Sequence, residues 1–121
     1  LSLVRKDCMS NNYLRFLALA QAIDLSTEFA DVDEAAKQLL IYIALRHSQG
    51  KSITVTEAMG LKAIASPATI HRKLDVLLKV GLITKVFENN NRRTKYLQPT
   101  NITEEYFAKL GELIHKVNSK N

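Results

Sequence analysis

Ser66-Pro67 opens the stretch of this chain that most restricts its fold. A serine oxygen accepts a hydrogen bond from a free N–H at the start of a helix, and proline suits the next position because its missing N–H would have had no partner there. The helix so opened runs to Val80, where Gly81 can take the left-handed conformation that ends it. Upstream, Thr54 and Glu57 have the spacing of a capping box, which predicts a short helix from Val55 to near Ile64, with Ala65 and Ser66 as the turn. Downstream, Leu82–Phe87 and Thr94–Gln98 are rich in β-branched and aromatic residues and flank Glu88–Arg93. The three asparagines in that interval tolerate a positive φ, so they form the tip of a hairpin whose second strand Pro99 closes.

Two helices at a tight turn followed by a hairpin give a mainly α fold with a small β-hairpin, a winged helix-turn-helix. The remaining segments supply its surroundings. From Asn11 to Leu25 the apolar residues Tyr13, Leu14, Phe16, Leu17, Leu19 and Ile23, with Ala18, Ala20 and Ala22, surround almost the whole helix. A surface helix shows one apolar stripe, so this one is either buried deep in its own domain or covered by a partner chain. Ser26–Asp33 is a polar link in which Asp31 or Asp33 can cap the next helix, and Asp31 with Glu34 has capping-box spacing. That helix, Asp33 to about His47, repeats Ala36, Leu39, Leu40, Ile43, Ala44 and His47 as a central core element; Ser48-Gln49-Gly50 ends it, and Lys51–Ile53 reads as a short strand. Asn101 or Thr103 caps a last helix with Tyr106, Leu110, Leu113, Ile114 and Val117 along one stripe. At 121 residues the chain fits a single domain, 1–121, with a central lobe at 33–100 and helical elements at 1–30 and 101–121.

Charge is distributed unevenly over these parts. The net charge is +5, and residues 51–100 hold nine Lys and Arg against three Asp and Glu, while both flanks are neutral or slightly acidic. The excess therefore lies on the helix-turn-helix segment, where a polyanion would be attracted through counterion release; the alternative is a solvated basic surface. On a helical wheel Pro67, Ile70, Leu74, Leu77 and Leu78 fall within a sector of about 80° that must face the core. Ala68, Arg72, Asp75 and Lys79 lie opposite, flanked by Thr69 and His71. A helix-turn-helix reads bases with the N-terminal part of its second helix, which points to double-stranded DNA as partner and to Ala68, Thr69, His71 and Arg72 as readers. Arg72 can pair bidentately with guanine O6 and N7, or be solvated beside Asp75. Ser66, Thr69 and Lys73 suit phosphates, and Pro67 stands among them at the first helical position. On the wing Arg92, Arg93 and Lys95 are the expected contacts, with Arg93 and Lys95 on one strand face. Such a tip can enter a narrow minor groove; the alternative is an edge strand guarded by charge.

Ser66-Pro67-Ala68-Thr69-Ile70-His71-Arg72 through Gly81-Leu82-Ile83 resembles the recognition helix and Gly-Leu-Ile exit of the MarR family of bacterial regulators. Asn91-Arg92-Arg93 sits where that family usually has Asp-x-Arg, with Asn91 in place of the acid. The resemblance covers the central half of the chain, and the flanking helices fit by pattern. It implies a transcription regulator, a repressor, working as a homodimer. The N- and C-terminal helices would build the dimer interface, the wings would spread over a pseudo-palindromic operator, and a small-molecule effector could enter the cleft between dimer helices and lobe. Some MarR-like peroxide sensors keep a reactive cysteine where Cys8 stands, although Asp7 beside it disfavours the thiolate.

Other classes find little support. His47, His71 and His115 are too dispersed for a metal site, and none pairs locally with Cys8 or a carboxylate as a catalytic group, so neither enzyme chemistry nor a cofactor is expected. No apolar run approaches a membrane span and no signal peptide is evident, which makes the cytoplasm the expected compartment. The competing function is a winged-helix scaffold for protein interaction, docking its basic face on an acidic partner.

Overall fold

Local capping chemistry sets the helix boundaries in the computed structural model, which describes residues 11–25, 32–88 and 91–119. The elements are α1 (Asn12–Leu25), α2 (Glu34–Ser48), α3 (Val55–Met59), α4 (Pro67–Lys79), β1 (Ile83–Glu88), β2 (Asn91–Pro99) and α5 (Asn101–Ser119). Thr54 and Glu57 form the expected reciprocal capping box of α3, and Ser66 caps α4 with Pro67 in its first turn. At α2 the cap is Asp33, whose Oδ1 accepts from the Ala36 N–H at 2.9 Å. Asp31, Cys8 and the Asn89-Asn90 tip lie outside the described residues.

The exits of α2 and α4 use one device. Gly50 and Gly81 have φ of +75° and +83°. In α2 the N–H groups of Gly50 and Lys51 donate to the carbonyls of His47 and Arg46; in α4 those of Gly81 and Leu82 donate to Leu78 and Leu77. Both are Schellman closures, in which only the residue after the cap needs the left-handed conformation that glycine adopts without strain.

Val32–Glu104 form one compact unit, and the described residues outside it form another. In the first, α2 packs against α4 and β2, and α4 against α3 and β1. Its core is Val32, Ala36, Leu39, Leu40, Ile43, Ile53, Ala58, Ile70, Leu74, Leu77, Leu82, Ile83 and Leu97, all buried. The expected α2 and α4 stripes are largely there, with Ala44, His47 and Leu78 half-buried and Pro67 exposed. Pro67 departs from the wheel because it sits in the first turn, where the helix has not yet reached the core. The helix expected to run to Ile64 stops at Met59. Gly60 follows, and Leu61–Ala65 continues as turns in which Leu61 N donates to Ala58 O and Ile64 N to Leu61 O. These three-residue closures, after a glycine of poor helix propensity, replace the expected α turns. Lys51–Ile53 is not a strand, but Ile53 O accepts from Leu97 N at 2.8 Å and ties the segment to β2.

β1 and β2 form an antiparallel hairpin in which Ile83 faces Pro99, Val86 faces Tyr96 and Phe87 faces Lys95. The register then shifts, and Glu88 pairs with Asn91, so Arg92, Arg93 and Thr94 are extra residues on β2. The start of α5 is fastened to the exit of α4. The Leu82 carbonyl accepts from Thr100 N at 3.1 Å and from the fully buried Thr103 Oγ1 at 2.6 Å, while Thr100 Oγ1 donates chiefly to the Gly81 carbonyl at 2.7 Å. Thr103→Val keeps the shape and removes one of these donors; it should cost about 0.5–1.5 kcal/mol in a chemical-denaturation titration, because Thr100 still satisfies the carbonyl.

In the second unit, Asn11 Oδ1 caps α1 by accepting from the N–H groups of Tyr13 and Leu14. Tyr106 Oη donates to Asp24 Oδ1 at 2.5 Å. Burial first, and then this bond to the carboxylate, push the Tyr106 phenol well above its ordinary pKa. The α1 helix is not sunk inside its own unit, since Tyr13 is 66% and Leu14 43% exposed. Tyr13 and Phe16 of α1 with Ile114 and Val117 of α5 line an open apolar groove. Among the described residues no helix is long and apolar enough to cross a membrane.

Candidate nucleic-acid interface

The buried stripe Ile70–Leu74–Leu77 fixes the rotation of α4 and so decides which residues it presents outward. Ser66, Pro67, Ala68, His71 and Arg72 are exposed, while Thr69 and Lys73 are half-buried. These seven share the N-terminal half of one helix. Arg92, Arg93 and Lys95 are all exposed on the wing, within the same unit.

Side-chain bonds divide the helix residues into three groups. Ser66 Oγ accepts from the Thr69 N–H at 3.4 Å and donates to Thr69 Oγ1 at 3.0 Å, and Arg72 Nη2 donates to the same Thr69 oxygen at 3.2 Å. His71 Nδ1 lies 3.6 Å from Asp75 Oδ2. Asp75 therefore lies by His71 one turn away, whereas the sequence alternative had paired it with Arg72. Lys73 turns the other way and forms an ion pair with Asp33 Oδ2, the second oxygen of the carboxylate that caps α2. Its donated hydrogen bond, joined by the Ala36 N–H, holds the Asp33 carboxyl below the usual range. Lys73 is thus engaged within the protein rather than aimed freely outward. Asp33 was legible as a cap, but its pairing with Lys73 was not, because the two lie 40 positions apart.

On the wing, Lys95 Nζ lies 5.4 Å from the centroid of the Phe87 ring directly across the ladder, a cation–π distance. Gln98, whose backbone pairs with Thr84 near the base of the hairpin, donates from Nε2 to Glu88 Oε2 at 2.6 Å. Arg92 and Arg93 stand in the extra stretch of β2, so the strict strand alternation expected to place Arg93 and Lys95 on one face does not govern this segment. Among the described residues no group of three His, Cys, Asp or Glu is placed to hold a metal ion.

No protein-family model matches the chain, and no curated protein does. Solved structures do. RV1404 from Mycobacterium tuberculosis is 14% identical with a TM-score of 0.60, covering 98% of this chain and 76% of that one. FabT from Streptococcus pneumoniae, solved in complex with DNA, is 15% identical with a TM-score of 0.56, covering 99% and 80%. MepR, a transcription regulator of the Staphylococcus aureus multidrug efflux pump MepA, is 20% identical with a TM-score of 0.54, covering 90% and 82%. At such identities the likeness is one of fold. The expected fold, a mainly α winged helix-turn-helix with a small β-hairpin, is the one found.

Proposed function

We propose that this protein is a sequence-specific DNA-binding transcription regulator, a repressor acting as a homodimer, with recognition helix 66–80 in the major groove and wing 82–98 beside the adjacent minor groove. The observation that carries this reading is the two-sidedness of α4. Ile70, Leu74 and Leu77 are buried, while Ser66, Ala68, His71 and Arg72 stand in solvent at its leading end. A major groove about 12 Å wide admits such a helix, and small Ala68 lets the backbone come close to the base edges. The nine basic against three acidic residues of 51–100 favour a polyanion. FabT solved with DNA and MepR as a transcription regulator support the assignment through their shared fold. The exposed apolar residues Tyr13, Leu14 and Ile114 support a second copy as the cover of α1 and α5. The repressor role rests on the family resemblance.

Selection of bound sequences from a random duplex pool tests this directly. The expected result is a dyad-symmetric site with half-sites one helical turn, about 34 Å, apart. Affinity for it should fall linearly on a log–log plot against salt, by about 0.9 for each phosphate neutralised. Failure to enrich any sequence, with no affinity for mixed genomic DNA at low salt, would overturn the proposal and favour the protein-interaction scaffold.

A further inference from the structure

The Ser66, Thr69 and Arg72 side chains form a chain of hydrogen bonds along the exposed edge of α4, and its middle member is better placed to aim the arginine than to hold a phosphate. The Thr69 hydroxyl oxygen accepts from Ser66 Oγ at 3.0 Å and from Arg72 Nη2 at 3.2 Å. Ser66 is in turn held by the Thr69 N–H that it caps. Thr69 Oγ1 is therefore fixed to the backbone through two routes, its own β-branched side chain and the serine cap. An exposed arginine otherwise wanders among many rotamers, and ordering it on binding is costly. One guanidinium N–H spent on Thr69 leaves four of its five donors, enough for a bidentate edge.

We propose that Thr69 is a positioning residue that pre-orients Arg72 for a guanine in the operator half-site. The guanidinium presents only donors. Such a surface matches the N7 and O6 acceptors of guanine and mismatches the amino groups that cytosine and adenine place in the major groove. The inference rests on the DNA-binding reading above, and places Thr69 behind Arg72 rather than on a base or a phosphate itself.

The test uses the full chain and the duplex selected from the random pool. It compares that duplex with one in which the guanines of the half-sites are 7-deazaguanine, which lacks the N7 acceptor. The parent should prefer the unmodified duplex, and Thr69→Val should reduce this preference by about 2- to 10-fold. Thr69→Ser keeps the hydroxyl and should retain most of the preference. In an Arg72→Ala background Thr69→Val should change nothing further, since its effect passes through the arginine. Thermal melts of each variant read the fold separately, so loss of preference with an unchanged melting temperature is not loss of structure. Four results would sink the proposal: a parent indifferent to 7-deazaguanine, a preference unaltered in Thr69→Val, a Thr69→Ser variant as impaired as Thr69→Val, or equal effects of Thr69→Val with and without Arg72. A chain that selects no duplex at all instead overturns the DNA-binding reading, and this inference with it.

Discussion

Truncating Leu77 to alanine is expected to destabilise the unit Val32–Glu104 by about 2–5 kcal/mol. Leu77 is fully buried on α4, and the lost methyl groups leave a void where α4 packs against its neighbours. For a unit of this size each kcal/mol lowers the melting temperature by about 4–8 °C, so calorimetry should show a fall of roughly 10 °C or more. Val76 precedes it on the same helix but is 42% exposed. Val76→Ala should stay within about 0.5 kcal/mol of the parent, because no core atom loses a contact. Equal melting temperatures for the two variants would show that the assigned rotation of α4, and with it the outward face at Ser66, Ala68, His71 and Arg72, is wrong.

Arg72→Ala should remove about 1–3 kcal/mol of base discrimination, roughly 5- to 150-fold, in competition between the selected duplex and genomic DNA. Arg72 is exposed and hydrogen-bonded to Thr69, so its truncation should leave the melting temperature within experimental scatter. Arg93→Ala is expected to act differently. Removing a wing arginine that meets phosphates lowers affinity for all duplexes alike and reduces the salt slope by about one. An Arg72→Ala protein that still prefers the selected duplex would remove Arg72 from the set of base readers.

How much of this was legible in the sequence followed the range of the interaction concerned. Caps and closures act over three to five residues, and Thr54 with Glu57, Ser66 with Pro67, and Gly81 stand where local patterns placed them. The α4 stripe was also legible, because Ile70, Leu74 and Leu77 report a single packing direction through their spacing. Pro67 broke that rule by lying at the helix mouth. The length of α3 was overestimated because the capping box fixes where a helix starts but not where it stops, and the helix gives way to tighter turns from Gly60. The shift in wing register depends on pairing between strands, and the Lys73–Asp33 pair on the packing of α4 against α2. Neither leaves a trace in local periodicity. For the candidate site, the residues were legible as a set while their bonds were not: Arg72 engages Thr69, and Asp75 lies beside His71.

The shared acceptor at Leu82 makes the exit of α4 and the first turn of α5 mechanically continuous. With Thr100 and Thr103 both gripping one carbonyl oxygen, the first turn of α5 cannot swivel without straining the Leu77–Leu82 closure. Within Val32–Glu104 the end of α4 and the opening residues of α5 therefore turn together, like parts keyed to one shaft.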